Sequence, residues 1–430
     1  MNAISLKSRN MCSVSMPTVF ITLWVMLAFL SNIILNSFQG KLLTMLAALV
    51  AVLYVLSKRV LTIKLTIFDL HFLACWIVVL IGYFLFSQSS TLSDVIVLIS
   101  GYAIVRCNMI DPKKFVTPMK IIPFFGIFFS VGVALNYFFP SLYNLCLGLF
   151  PTAFSNAVRT AALSSGQRTR GFTTNSGHTA GFIVIAIMVV FAQIDISKCK
   201  TREKFLIVFL FAALLLTGKR AHLLFIVITL ALCYLLPVRG REKMRRYWNI
   251  FLFLSVLCVL ITTFWDYLIT IPFFSRLKET IQGLMIGEDV SSARNSLFSW
   301  ALHLFKEDPL TGIGWNMYRT TVVGNATMAT ELDVHNIYLQ LLCETGIIGF
   351  TLFVSFFAVL WIQTKDAYVE CIHSAKNENS VWRVTLRFSF MFQTFFLLYG
   401  LTGNPLYDQS WQIIYMFSLA IYMGYRHVNK

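Results

Sequence analysis

The chain has 430 residues, of which 57% are hydrophobic and only 13% are charged, and its formal net charge is +16. Soluble domains carry charge on about a quarter of their residues, so this composition excludes a soluble enzyme, a secreted disulfide scaffold and a disordered protein. Apolar runs long enough to cross a bilayer core of about 30 Å recur along the chain. They predict an all-α integral membrane protein whose transmembrane helices, about twelve in number, lie near residues 16–35, 41–57, 67–87, 93–107, 119–139, 177–194, 204–218, 221–237, 249–270, 336–363, 384–400 and 411–425.

Lysines and arginines orient the predicted helices. If the N-terminus is cytoplasmic, roughly two thirds of the 35 lysines and arginines fall on the cytoplasmic side, which is where short loops of membrane proteins concentrate positive charge. The remainder lie on the external face, mostly in two long loops at about 140–176 and 271–335, within a single polytopic domain that covers residues 1–430. Because long loops in compact proteins tend to be functional, these external cations indicate an anionic ligand at the outer membrane boundary.

Motifs for metal chemistry are absent from the sequence. The nine cysteines form no CxxC pair, and most lie inside or beside apolar runs, so we expect buried thiols rather than a zinc site or a disulfide framework. The sequence also contains no DxD motif for a metal-bound diphosphate, no HExxH and no GxSxG. We therefore expect neither a metal nor a cofactor.

Two basic stretches adjoin predicted spans on the external face. The first, residues 168–178, is polar, contains Arg170 and leads directly into a span. This stretch is typical either of a solvated loop with a helix cap or of a polar surface that contacts substrate. The second places Lys219 and Arg220 between two apolar helices, where a charged side chain is energetically unfavourable unless it is paired or binds a ligand. These cations either snorkel to the interface or form a fork that holds phosphate, for which arginine is well suited.

Two further stretches flank the second long loop. Residues 291–305 carry apolar side chains at helical spacing, which predicts an amphipathic helix on the membrane surface, capped by a serine. Arg294 lies in its first turn, where exposed N–H groups and the helix dipole favour an anion. His335 and Asn336 precede the next span, and nine residues separate them from the Gly-x-x-Gly of residues 346–349. A lone histidine at a membrane boundary is commonly structural, but arginines on the same face favour a functional one.

Taken in order, these motifs resemble those of the O-antigen polymerase and O-antigen ligase superfamily, which are bacterial polytopic membrane glycosyltransferases of the GT-C type. The resemblance covers roughly residues 165–350. Its most specific element is the pattern of His335, Asn336, nine residues, Gly346, two residues and Gly349. The other segments that carry it are Thr217–Arg220, Ala293–Leu297 and Asp308–Trp315.

The resemblance implies a metal-independent glycosyltransferase in the bacterial inner (cytoplasmic) membrane, with its active face toward the periplasm. Its donor would be an oligosaccharide on undecaprenyl diphosphate, its other partners would be a glycan acceptor, membrane lipids and a chain-length regulator, and no nucleic acid is expected. Arg220 and Arg294 would grip the diphosphate, while His335 would either take the proton of the acceptor hydroxyl or orient the acceptor. The residues expected to assist substrate binding are Lys219, Arg170 and Asn336.

The acceptor distinguishes the two activities within this superfamily. A polymerase joins the glycan to another lipid-linked repeat unit of O-antigen or surface polysaccharide, whereas a ligase attaches it to the lipid A-core of lipopolysaccharide. The segments Thr217–Arg220, Thr311–Trp315 and Leu401–Asp408 look more like those of polysaccharide polymerases. We therefore expect a polymerase, with a ligase as the alternative and a polysaccharide exporter or flippase as the more distant one.

Overall fold

The structure is a computed structural model that describes residues 16–31, 33, 37–57, 66–86, 89–107, 113–163, 169–194, 200–286, 294–324, 333–374 and 380–428. Over these residues all regular secondary structure is helical, as the sequence predicts. A short 3-10 helix, Pro405–Tyr407, lies before the last helix. The helices are α1 (Met16–Leu30), α2 (Ser37–Ser57), α3 (Ile67–Phe86), α4 (Ser89–Cys107), α5 (Lys113–Phe138), α6 (Pro140–Leu147), α7 (Thr152–Leu163), α8 (Ser176–Gln193), α9 (Thr201–Leu216), α10 (Arg220–Leu235), α11 (Gly240–Thr263), α12 (Trp265–Leu268), α13 (Pro272–Met285), α14 (Arg294–Glu307), α15 (Tyr318–Gly324), α16 (Ile337–His373), α17 (Ser380–Tyr399) and α18 (Gln409–Val428).

Each predicted span overlaps one of the longer helices, namely α1 to α5, α8 to α11 or α16 to α18. By length and composition, α3, α5, α8, α11 and α16 qualify as candidate membrane spans among the described residues, and four shorter helices are also apolar. The chain is therefore a multi-pass membrane protein, while the number of spans stays a prediction. Several boundaries differ from the prediction, and the largest differences are that α11 begins at Gly240 and that α16 continues to His373. Hydropathy locates only the apolar part of a helix, so it misses charged end turns such as Arg241–Arg246.

The helix α8 forms the centre of the bundle. It packs against α5, α9 and α17, and its side chains from Thr179 to Val190 are buried. The helices α16, α17 and α18 pack on one another to complete the large apolar core. In contrast, α11 has no buried residue between Gly240 and Thr263. Its exposed apolar surface suits contact with lipid.

The second long loop contains the predicted amphipathic helix, here α14. The side chains of Leu297, Ala301 and Leu304 are buried against residues of the loop and of α16, among them Tyr318 and Val334. The apolar stripe is therefore packing surface, as helical spacing predicted. The serines predicted to cap this helix lie outside the described residues.

The loop that follows α14 packs against a sharp kink in α16. The backbone N–H of Ile313 donates to Cys343 O at 3.0 Å, and that of Ile347 donates to Pro309 O at 2.9 Å. At the kink, Gly346 has φ 62° and ψ −171°, and a Cβ there would lie 2.2 Å from the carbonyl oxygen of Leu310. Glycine is thus required by both backbone angle and space.

The glycine at this kink is expected to be important for the stability of the protein. Gly346→Ala is expected to lower the free energy of unfolding by about 2–5 kcal/mol, because the new Cβ adds a steric clash to the cost of positive φ. Gly240→Ala is the matched control, since Gly240 also has positive φ but a Cβ there would meet nothing within 4 Å. Its loss should be about 1–2 kcal/mol. Unfolding of the purified proteins in detergent measures both, and equal losses would contradict the clash.

Candidate functional site

The predicted site residues belong to four segments: the start of α10 (Lys219 and Arg220), the first residue of α14 (Arg294), the two residues before α16 (His335 and Asn336) and the segment before α8 (Arg170). Lys219 and Arg294 both act electrostatically on His335, so residues of three segments lie within electrostatic range of one another. Arg220 is directed toward α13, where its Nη1 donates to the carbonyl oxygen of Arg276 at 3.1 Å. The structure thus brings residues from both sides of the second long loop together.

Arg170 and Asn336 use their side chains in local structure. Arg170 Nη1 donates a hydrogen bond to the carbonyl oxygen of Thr174. Asn336 Oδ1 accepts from the backbone N–H groups of Tyr338 at 2.9 Å and Leu339 at 3.1 Å, and so caps α16. A substrate-binding role for either residue stays a prediction, since these contacts account for their positions without a ligand.

The environment of His335 favours its neutral form. Its backbone has φ 59°, which is uncommon for a residue other than glycine, and its side chain is half-buried. Burial is the largest cause that lowers the pKa of His335 below its ordinary 6.5, followed by the positive charge of Arg294. Lys219 and Arg319 act in the same direction, and Asp333 opposes them. A neutral imidazole beside cations can accept a proton at pH 7.

The residues on both sides of His335 anchor its backbone. Asp333 accepts hydrogen bonds from Arg319 Nε at 2.6 Å and Nη2 at 2.7 Å, a two-point contact that ties the segment to α15. After the histidine, the backbone N–H of Ile337 donates to the carbonyl oxygen of Gly400 at 2.8 Å, just beyond α17. His335 is therefore held between two helices that are distant in sequence.

A buried carboxylate, Glu344, joins the second loop and the segment after α17 to α16. It accepts hydrogen bonds from Tyr407 OH at 2.6 Å, Gln340 Nε2 at 3.1 Å and the backbone N–H of Tyr318 at 3.2 Å. Gln340 Oε1 in turn accepts from Asn404 Nδ2. Local sequence pattern assigns Glu344 no role, because its partners come from three separate segments.

A His–Asp pair lies beside the site and was missed by sequence reasoning. His178 Nε2 lies 2.8 Å from Asp408 Oδ2. Burial tends to raise the pKa of Asp408, but the positive charge of His178 and hydrogen bonds from His178 and Ser410 hold it below its ordinary 3.8. Lys219 acts electrostatically on His178, His222 and His335. The pair therefore connects the segment after α17 to the cations, a contact that no local pattern indicates.

Removing Asp408 is expected to destabilise this end of the bundle. Asp408→Ala breaks the partly buried pair and removes the acceptor for the backbone N–H of Ser410, which we expect to cost about 2–4 kcal/mol of unfolding free energy. Asp408→Asn keeps an oxygen acceptor and should lose less. Asp366→Ala is the control, since this carboxylate is exposed and its contact with Lys365 contributes little. Thermal unfolding in detergent measures all three, and an Asp408→Ala protein as stable as the control would contradict the role.

The arrangement combines anion binding with proton transfer. Guanidinium and ammonium groups can stabilise a diphosphate, the first turn of α14 adds backbone N–H groups beside Arg294, and the neutral imidazole of His335 can take a proton. Among the residues that the structure describes, no three His, Cys, Asp or Glu side chains cluster in a way that would hold a metal ion.

Comparison with protein families agrees with the motifs. The family model described as O-antigen ligase matches residues 205–354, a region that runs from α9 into the first half of α16 and includes Arg220, Arg294 and His335. A search of curated proteins found no match. The family match confirms the resemblance read from the sequence, and it places this region of the chain in the superfamily of O-antigen polymerases and ligases.

Proposed function

We propose that this chain is a periplasm-facing glycosyltransferase that transfers a glycan from undecaprenyl diphosphate to a sugar hydroxyl. The observation that carries the proposal is that Lys219 and Arg294 lie within electrostatic range of His335, whose pKa is lowered by burial and by these charges. Cations suit the anionic donor, and a neutral imidazole suits the hydroxyl that attacks it. The family match over residues 205–354 supports the same reaction class.

In the proposed reaction the acceptor oxygen attacks the anomeric carbon at the reducing end of the donor glycan. The bond between that carbon and the phosphate oxygen breaks, and its electron pair leaves with undecaprenyl diphosphate. Arg220 and Arg294 stabilise the negative charge that grows on the diphosphate. His335 takes the proton from the attacking hydroxyl. Direct attack inverts the configuration at the anomeric carbon.

For the acceptor, a second lipid-linked repeat unit is the preferred candidate, which makes the protein a polymerase. The segment Leu401–Asp408, whose sequence resembles that of polysaccharide polymerases, contacts the site through the His178–Asp408 pair at 2.8 Å. A ligase that uses the lipid A-core is the second candidate, and the description of the matching family model as O-antigen ligase favours it.

Deletion of the gene distinguishes the two activities. Loss of a polymerase leaves a single repeat unit on the lipid A-core, whereas loss of a ligase leaves long polymer on undecaprenyl diphosphate. Electrophoresis of lipopolysaccharide and extraction of lipid-linked glycan read out both products. Complementation with wild-type protein should restore the pattern, and complementation with His335→Ala should not.

Reconstitution separates an enzyme from an exporter. Purified protein in detergent, supplied with lipid-linked donor and acceptor, should form the new glycosidic bond without a membrane potential or a second compartment. A pure exporter moves glycan across a bilayer and would form no bond in detergent. Absence of transfer by well-folded protein with matched substrates would contradict the proposed reaction.

A further inference from the structure

The helix α13, in the second long loop, exchanges hydrogen bonds with the turn that presents Lys219 and Arg220. Arg220 Nη1 donates to the carbonyl oxygen of Arg276 at 3.1 Å, and Arg276 Nη1 donates to the carbonyl oxygen of Gly218 at 2.8 Å. The two arginines thus form a crossed pair, in which Arg220 binds the backbone of Arg276 and Arg276 binds the backbone two residues before Arg220. From the sequence alone, Arg276 is one of several cations predicted on the external face, and it had no assigned role.

The packing around this crossed pair is close. A Cβ on Gly218 would lie 3.4 Å from Arg276 Cδ and 3.5 Å from Pro272 Cβ, so the start of α13 rests directly on the turn. Thr280 Oγ1 also donates to the carbonyl oxygen of Arg276 at 2.8 Å. The acceptor of the Arg220 guanidinium is therefore itself fixed by a second donor from the next helical turn.

Holding two guanidinium groups at one turn raises the local positive charge. Like charges at close range repel, and an anion bound between or beside them offsets that repulsion. Arginine binds phosphate oxygens through planar sets of N–H donors, so fixed orientation contributes to affinity as well as charge. The crossed pair supplies both, at the turn that also carries Lys219.

We propose that Arg276 is part of the diphosphate site, where it orients Arg220 and supplies a third guanidinium beside Arg220 and Arg294. This assignment rests on the proposed function, because it needs a diphosphate donor. It gives α13 a specific role, which is to hold Arg276 and the turn of Lys219 and Arg220 in place at the anionic end of the donor.

Inhibition of glycan transfer by inorganic pyrophosphate tests the proposal with a defined probe. In reconstituted full-length protein, R276A should raise the inhibition constant of pyrophosphate and the KM for lipid-linked donor about tenfold, as expected for the loss of a charge-assisted contact. R276K, which keeps the charge without the planar donors, should lie between R276A and wild type. Lys278→Ala, a cation two residues along α13, is the matched control and should leave both constants unchanged.

A double-mutant cycle tests the coupling between the two arginines. If Arg276 orients Arg220 and also binds the diphosphate itself, R220A/R276A should bind pyrophosphate more weakly than R220A alone, but by less than the two single losses added together. Additive losses, or a pyrophosphate constant in R276A equal to that of wild type, would overturn the assignment. Should R276A fail to fold, R276Q supplies the same measurement with a neutral amide in place of the guanidinium.

Failure of the broader function would look different. If wild-type protein neither transfers glycan nor is protected by pyrophosphate against thermal unfolding, the proposed reaction fails and the role of Arg276 fails with it. If wild-type protein does both and R276A matches it, only the role of Arg276 is overturned. The two results are separated by the behaviour of the wild-type protein alone.

Discussion

Replacing His335 with alanine is expected to lower the rate of glycan transfer about 10²–10⁴-fold, the usual contribution of a general base. The acceptor hydroxyl is a weak nucleophile until its proton is removed, and burial together with the charges of Arg294 and Lys219 lowers the pKa of His335, which favours the neutral imidazole that can accept that proton. Initial rates in liposomes or detergent, with donor and acceptor varied separately, measure the loss. The effect should fall on kcat, because proton removal belongs to the transition state.

The pH dependence of transfer provides an independent test of His335. Because burial and the neighbouring cations lower its pKa below 6.5, the neutral form that accepts the proton persists as the pH falls from 7.5 to 6.5. Transfer by wild-type protein should therefore decline on acidification with a midpoint below pH 6.5. A decline centred at or above pH 6.5 would contradict the role, as would an unchanged profile in a His335→Ala protein that retains substantial activity.

Replacing Arg220 with alanine is expected to lower kcat about 10²–10³-fold, comparable to the loss of one fixed donor that stabilises developing charge. The diphosphate gains negative charge as the sugar–phosphate bond breaks, so the guanidinium acts most strongly in the transition state. Arg220→Lys should recover only part of the rate, since lysine keeps the charge but lacks the planar donors. Single-turnover kinetics with saturating donor separate this effect from weaker binding.

A control for charge accompanies the Arg220 experiment. Lys306 lies in the last turn of α14, at the opposite end of that helix from Arg294, and its side chain is exposed. Lys306→Ala removes one positive charge from the second long loop without touching the site, and its transfer rate should equal that of wild type. If Lys306→Ala lost as much activity as Arg220→Ala, the contribution would come from overall charge rather than from a fixed guanidinium.

Much of the architecture follows from local pattern. Apolar runs located the twelve longer helices, and the differences lie at helix ends such as the start of α11 at Gly240. Helical spacing placed Leu297, Trp300, Ala301 and Leu304 on one face of α14, and the structure buries all of them except Trp300, which is half-buried. These features depend on neighbours within a few turns of the chain, so the burial of apolar side chains and backbone hydrogen bonding determine them almost alone.

The sequence by itself also determined the chemical character of the site: cations at the start of α10 and of α14, and a histidine before α16. Only the tertiary structure decided how these are held. The kink at Gly346 is set by a loop that docks on it, the Arg220–Arg276 exchange by the packing of α13 on a turn, and the His178–Asp408 pair by the approach of α8 to the segment after α17. Each contact joins residues far apart in the chain, and its strength depends on distances of a few ångströms. Hydropathy and residue spacing carry no information about such distances, because they describe each helix separately and not how the helices pack.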